Sequence, residues 1–81
     1  MSDLEKYNEI FMNNFRVDKS ILNKEFTSDK VENWDSLAHL QLVAELEETF
    51  DIMFDTDDIF ELTSYDKGKD ILKKYEIILE R

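Results

Sequence analysis

The sequence predicts an all-α fold, a four-helix bundle in which three helices are long, one is short and a long loop follows the first. Three observations carry this. Apolar side chains recur three and four residues apart in separate stretches, the spacing that gathers them on one face of an α-helix. A single Gly and no Pro leave little of the turn punctuation that an all-β chain needs. A content of 42% hydrophobic and 37% charged residues is too apolar for a disordered segment. At 81 residues the chain is expected to form one domain, residues 1–81. A domain of this size buries about two-thirds of the surface its unfolded form exposes. The core is therefore thin, and a large enclosed active site is not expected.

Ser2 followed by Glu5 makes a capping box, and Leu4, Tyr7, Ile10, Phe11 and Phe15 continue at helical spacing, which predicts a first helix over about residues 3 to 15. Its aromatic stripe is core. Residues 16 to 35 lack sustained periodicity. There Ile21, Leu22, Phe26, Val31 and Trp34 are expected to pin a long loop, with one helical turn near Ser20 to Asn23. The second helix is expected from Ser36 to about Asp51, with Asp35 as N-cap because its carboxylate accepts from free N–H groups of the first turn. Leu42, Val43, Leu46 and Phe50 form its packing face, while Leu37, Gln41, Ala44 and Glu48 lie on roughly the opposite one.

Ile52, Met53 and Phe54 lead into Asp55-Thr56-Asp57-Asp58, acidic residues suited to the start of a short third helix carrying Ile59, Phe60 and Leu62. Thr63 or Ser64 caps a last helix whose buried face is Tyr65, Leu72, Tyr75 and Leu79, helped by Ile71 and Ile78. Gly68 weakens that helix, and Lys67, Lys69, Lys73 and Lys74 occupy its exposed side.

Charge narrows the classes of function. The formal charge of −10 argues against nucleic acid and anionic membrane as partners, since phosphate binding needs clustered Lys and Arg. Between Lys30 and Lys67 there is no Lys or Arg, whereas Glu32, Asp35, Glu45, Glu47, Glu48, Asp51, Asp55, Asp57, Asp58, Glu61 and Asp66 all fall there. This anionic middle is expected to meet proteins with basic patches by electrostatic steering. No cysteine is present, which excludes disulfides and thiolate metal sites. No apolar run approaches the roughly 20 residues of a membrane span, and the first residues lack the layout of a signal peptide. The expectation is a soluble, cytoplasmic monomer.

Ser36 heads the second helix, and three kinds of chemistry are conceivable there. As a nucleophile it needs a base, and the one histidine, His39, lies three residues on. A third orienting group, oxyanion donors and a cleft are also required, and His39 falls near the packing face, so a half-buried ring with a satisfied nitrogen is the better reading. Asp51 to Asp58 lacks the glycine that the sharp turn of an EF-hand needs, so no resident metal is expected, only loose divalent-ion binding that relieves repulsion. The third possibility is that another enzyme modifies Ser36. A phosphate ester at a helix N-terminus meets free N–H groups and the positive end of the dipole. Position alone would still leave Ser36 an ordinary first-turn residue.

Asp35-Ser36-Leu37, followed by Leu42-Val43, Leu46-Glu47-Glu48 and Phe50, resembles the acyl carrier protein family. Phe54 to Leu62 looks like that family's acidic loop and short third helix, and Thr63-Ser64-Tyr65 like the entry to its last helix, so the resemblance covers nearly the whole chain. It implies a four-helix bundle of the acyl-carrier type and a carrier, not an enzyme. By this resemblance Ser36, flanked by Asp35 and Leu37, is the attachment point for 4′-phosphopantetheine, placed there from coenzyme A by a separate phosphopantetheinyl transferase. The terminal thiol of the arm would hold acyl groups as thioesters. Leu40, Gln41, Ala44, Glu47 and Glu48 resemble positions that carriers present to basic patches on transferases, synthases and ligases.

Two residues depart from the familiar fatty-acid pattern, Ala38 and Gln41, both at positions that are usually acidic. They resemble more closely the stand-alone carriers of specialised pathways, so the cargo can be a fatty acyl, polyketide or aminoacyl group. The rival expectation is an unmodified acidic interaction module.

Overall fold

Helix boundaries follow from side chains that satisfy free backbone groups. The structure, a computed structural model, describes residues 2–79, so residues 1, 80 and 81 of the expected single domain lie outside the described residues. Helix α1 (Asp3–Phe15) starts on the predicted capping box: Ser2 Oγ accepts from the Glu5 N–H at 3.1 Å and Glu5 Oε1 accepts from the Ser2 N–H at 2.9 Å. Helix α2 (Ser36–Phe50) is capped by Asp35, whose Oδ1 accepts from the Ala38 N–H at 2.9 Å. Helix α3 (Thr56–Glu61) is the short one, and Ser64 caps α4 (Tyr65–Lys74) by accepting from the Lys67 N–H at 2.9 Å. Over the described residues the fold is an all-α bundle of four helices, as the periodicity predicts.

The core is the set of predicted stripes brought together. Tyr7, Phe11, Phe15, Leu42, Leu46, Leu62 and Leu72 are fully buried. Phe11 meets Phe26, Trp34 and Tyr65 edge-on, with centroids 5.9, 6.1 and 5.4 Å away, the arrangement that aromatic quadrupoles favour. A radius of gyration of 11.5 Å matches the roughly 12 Å of a well-packed chain of this length. No helix among the described residues is long and apolar enough to cross a membrane.

The long loop is held as expected, but not by every residue named. Leu22, Phe26 and Trp34 are buried, Val31 is half-buried, and Ile21 is exposed. The helical turn is a 3-10 turn at Lys19–Ile21, which starts one residue and ends two residues before the predicted Ser20 to Asn23. Backbone bonds then stitch the loop across the molecule: the Ser28 N–H donates to the Thr63 carbonyl at 2.8 Å, and the Tyr65 N–H to the Phe26 carbonyl at 2.9 Å. Asn33 Nδ2 caps α1 by donating to the Phe15 carbonyl at 3.0 Å.

Three further readings need correction. The last helix stops at Lys74, because Glu76 turns left-handed at φ 67° and the Ile77 N–H folds back to the Leu72 carbonyl at 3.1 Å. Its buried face is Tyr65, Gly68, Ile71 and Leu72; Tyr75 and Leu79 are half-buried, and Ile78 is exposed. Asp58 is not surface charge: its carboxylate is 1% exposed and accepts from Lys74 Nζ and Tyr75 Oη, each at 2.5 Å. Lys74 lies on the exposed side of α4 as expected, and from there its ammonium neutralises this one buried acid.

Candidate functional site

Asp35, Ser36 and the first turn of α2 form the candidate site, and the sequence dictates how they are held. Buried Trp34 anchors the chain just before the helix, and the Asp35 carbonyl accepts the first helical bond from the His39 N–H at 2.8 Å. Ser36 is thereby fixed at the first helical position and exposed. Leu37 and Leu40 beside it are 66% and 60% exposed, and Phe60 on α3 is 76% exposed. These three form an exposed apolar border around the hydroxyl.

Between α2 and α3 runs an open cleft of about 670 Å³. Ser36 and Leu40 stand on its α2 side, Ile59 and Phe60 on its α3 side, and Trp34 and His39 are also in its lining. His39 is half-buried with both ring nitrogens engaged, Nδ1 with Trp34 Nε1 at 3.2 Å and Nε2 with the Ile59 carbonyl at 2.8 Å. It therefore has no free lone pair for the Ser36 proton. Ser36 consequently lacks the local base of a serine hydrolase.

The docking residues expected on α2 divide into three groups. Leu40 lies with Ser36 on the cleft. Gln41 and Ala44 lie on a second, more polar depression shared with Asn13, Asn14 and Arg16 of the α1 end. Glu48 is exposed, but Glu47 is turned inward: its Oε2 accepts from the Phe54 N–H at 2.9 Å, fixing the chain that follows α2. Its expected place on an open acidic face is corrected accordingly, because a free backbone N–H in a part-buried turn needs an acceptor.

Helix α3 is also tied to the end of α4. Lys74 and Tyr75 hold the Asp58 carboxyl below the usual carboxylate range, while the same bonds raise Lys74 and Tyr75. The Asp55 N–H also donates to Tyr75 Oη at 3.0 Å. Sequence reading missed Phe60 and Trp34 as site residues. Phe60 was legible in principle, since Ile59 and Leu62 are three apart and share an inner face that excludes it. From sequence Trp34 is legible only as a loop anchor, because its bond to His39 joins two elements.

Among the described residues no group of three or more His, Asp or Glu side chains converges to hold a metal ion. Compared with models of known protein families and with curated proteins, the chain matches none.

Proposed function

We propose that this protein is a carrier whose Ser36 receives a 4′-phosphopantetheine arm and which presents arm-bound acyl groups to partner enzymes. The observation that carries the reading is the isolation of Ser36: an exposed hydroxyl, fixed at the first turn of a capped helix, with no local base and an apolar-walled cleft beside it. A hydroxyl so placed is a poor nucleophile on its own and an accessible substrate for another enzyme. When attached, the arm supplies a terminal thiol that holds the acyl group as a thioester; the chain has no cysteine of its own for this.

The residues present fit such a group. The anionic phosphodiester would sit at the N-terminal end of a 15-residue helix, where the dipole favours negative charge, and the neighbouring Asp35 carboxylate is already turned to the Ala38 N–H. Leu37 and Leu40 flank the hydroxyl as apolar contacts for a visiting enzyme, and Glu48 with its acidic neighbours supplies the steering charge. Weak, fast contacts suit a shuttle that must leave each partner. Ala38 and Gln41 thin the acidity of the first turns, which favours partners of specialised polyketide or aminoacyl pathways over those of housekeeping fatty-acid synthesis.

Intact mass after incubation with coenzyme A and a broad-specificity phosphopantetheinyl transferase tests the reading. The expected result is the gain of one phosphopantetheine, abolished by Ser36→Ala. An unchanged mass, with the transferase active on a control carrier, overturns it and leaves the acidic interaction module.

A further inference from the structure

We propose that His39 is a proton-sensitive clasp at the cleft beside Ser36, in which the neutral ring joins Trp34 of the first loop to the C-terminal end of α3. The two partners are each capable of one role only. An indole N–H donates and cannot accept, and a carbonyl accepts and cannot donate. With Trp34 Nε1 3.2 Å from Nδ1 and the Ile59 carbonyl 2.8 Å from Nε2, only the neutral ring carrying its proton on Nε2 satisfies both. The two rings lie 6.4 Å apart with 29° between their planes.

Each bond has a structural purpose. Helix α3 has six residues, so the Ile59 carbonyl belongs to its last turn and lacks an intrahelical partner. His39 supplies that partner from α2. On the other side, Trp34 is buried immediately before Asp35 and Ser36, so fixing the indole fixes the entry to the site. One side chain thus sets two borders of the cleft.

Protonation acts on the two bonds in opposite senses. Nδ1 changes from acceptor to donor and faces the indole N–H, so the Trp34 bond is lost. The Nε2–H bond to Ile59 becomes charge-assisted and meets the negative end of the α3 dipole, so it strengthens. The charged groups on the packed elements leave this logic intact. On α2, Asp35 is occupied by the Ala38 N–H; on α3, Asp58 is bound by Lys74 and Tyr75, Glu61 lies 3.8 Å from Lys67, and Asp57 is exposed. In the loop, Asp29 accepts from Thr27, and Glu32 is exposed; α1 contributes Asn14, which donates to the Ala38 carbonyl. Acidification therefore breaks the Trp34–His39 bond and leaves the indole held by Phe11, Phe15 and Phe26 alone, while α3 stays capped.

The chain contains one Trp and one His, so their signals are unambiguous. The experiment follows Trp34 emission, the indole N–H resonance and the His39 ring nitrogens as the solution is taken from mildly alkaline to acidic. Expected are an unprotonated Nδ1 and protonated Nε2 at the alkaline end, and a single-step change in Trp34 emission and indole shift that coincides with ring protonation. His39→Gln, which keeps a donor and an acceptor but does not titrate, should lose the emission step. A neutral ring protonated on Nδ1, an indole signal that stays constant through the ring's titration, or the same step in His39→Gln overturns the proposal. If His39→Gln fails to fold, the ring nitrogens and indole of the unaltered chain decide. The outcome does not depend on whether Ser36 is modified.

Discussion

Gly68 lies in the middle of α4, where a Cβ would stand 2.1 Å from Tyr7 Oη and 3.0 Å from Leu62 Cδ1. Helix propensity favours Ala over Gly by about 1 kcal/mol, whereas overpacking a core costs about 1–3 kcal/mol. Packing should win, because Tyr7 is fully buried and held by its 2.6 Å bond to the Tyr65 carbonyl. Gly68→Ala is therefore expected to lower stability by about 1 kcal/mol in urea denaturation. In a Tyr7→Phe background, with the hydroxyl gone and only the Leu62 Cδ1 and ring contacts at 3.0 and 3.2 Å left, the same change should cost less, and an equal loss in both backgrounds would refute the contact. Asp58 sets a second expectation. Its lowered pKa means that its contribution to stability is complete above the ordinary Asp value of about 3.9 and is lost as pH falls through the folded value. Lys74 and Tyr75 are raised, so their contribution is complete below about pH 10 and is lost as pH rises through their folded values. Asp58→Asn should flatten the acid limb of a stability-against-pH curve; an unchanged limb would show that the carboxylate is not linked to folding. Neither site was legible as such in the sequence: Gly68 read as a weakness because Tyr7 is 61 residues away, and Asp58 read as surface because Lys74 is 16 residues on.

The helices end on an unusual device. Arg16, Asp51 and Glu76 take φ of 57°, 55° and 67° after α1, α2 and α4, the left-handed position where glycine is the common choice. In each case the next N–H reaches back five residues: Val17 to Met12, Ile52 to Glu47 and Ile77 to Leu72. A left-handed non-glycine residue costs about 1–2 kcal/mol, offset in part by the greater entropy glycine loses on folding. Arg16→Gly, Asp51→Gly and Glu76→Gly should each raise stability by about 0.5–1 kcal/mol, read as a higher melting temperature. A fall at all three would mean that their side chains matter more than their backbones. This device also explains what was hard to read. Starts were legible because Ser2, Asp35 and Ser64 are good caps at the heads of periodic stretches, whereas the stop of α4 carries no Gly or Pro and its apolar pattern runs on to Leu79. At the site, Asp35 and Ser36 were legible from local rules, while the inward turn of Glu47 depends on the N–H of Phe54.

At the scale of the molecule, a formal charge of −10 on a radius of gyration of 11.5 Å is a source of self-repulsion. Screening shortens the Debye length from about 30 Å at 0.01 M salt to about 8 Å at 0.15 M, so NaCl should raise the melting temperature. Millimolar Mg²⁺ or Ca²⁺ should raise it further than NaCl of equal ionic strength, and a melt insensitive to all three would remove repulsion as a factor. The overall architecture was legible because burial follows the helical period; the cleft was not, since it exists only where α3 is laid against α2. The manner in which α3 is laid there has a mechanical consequence. Residues 54 and 55 are fixed by Glu47 and Tyr75, and the Thr63 carbonyl by Ser28, all outside the helix itself. The segment is a short span supported at both ends. It can lose its internal hydrogen bonds and regain them without its ends drifting apart, so the entropy of closing the loop is not spent again at each opening. Its middle is tied as well, Asp58 by Lys74 and Tyr75 and the Ile59 carbonyl by His39, so the span returns to the same seat after each opening.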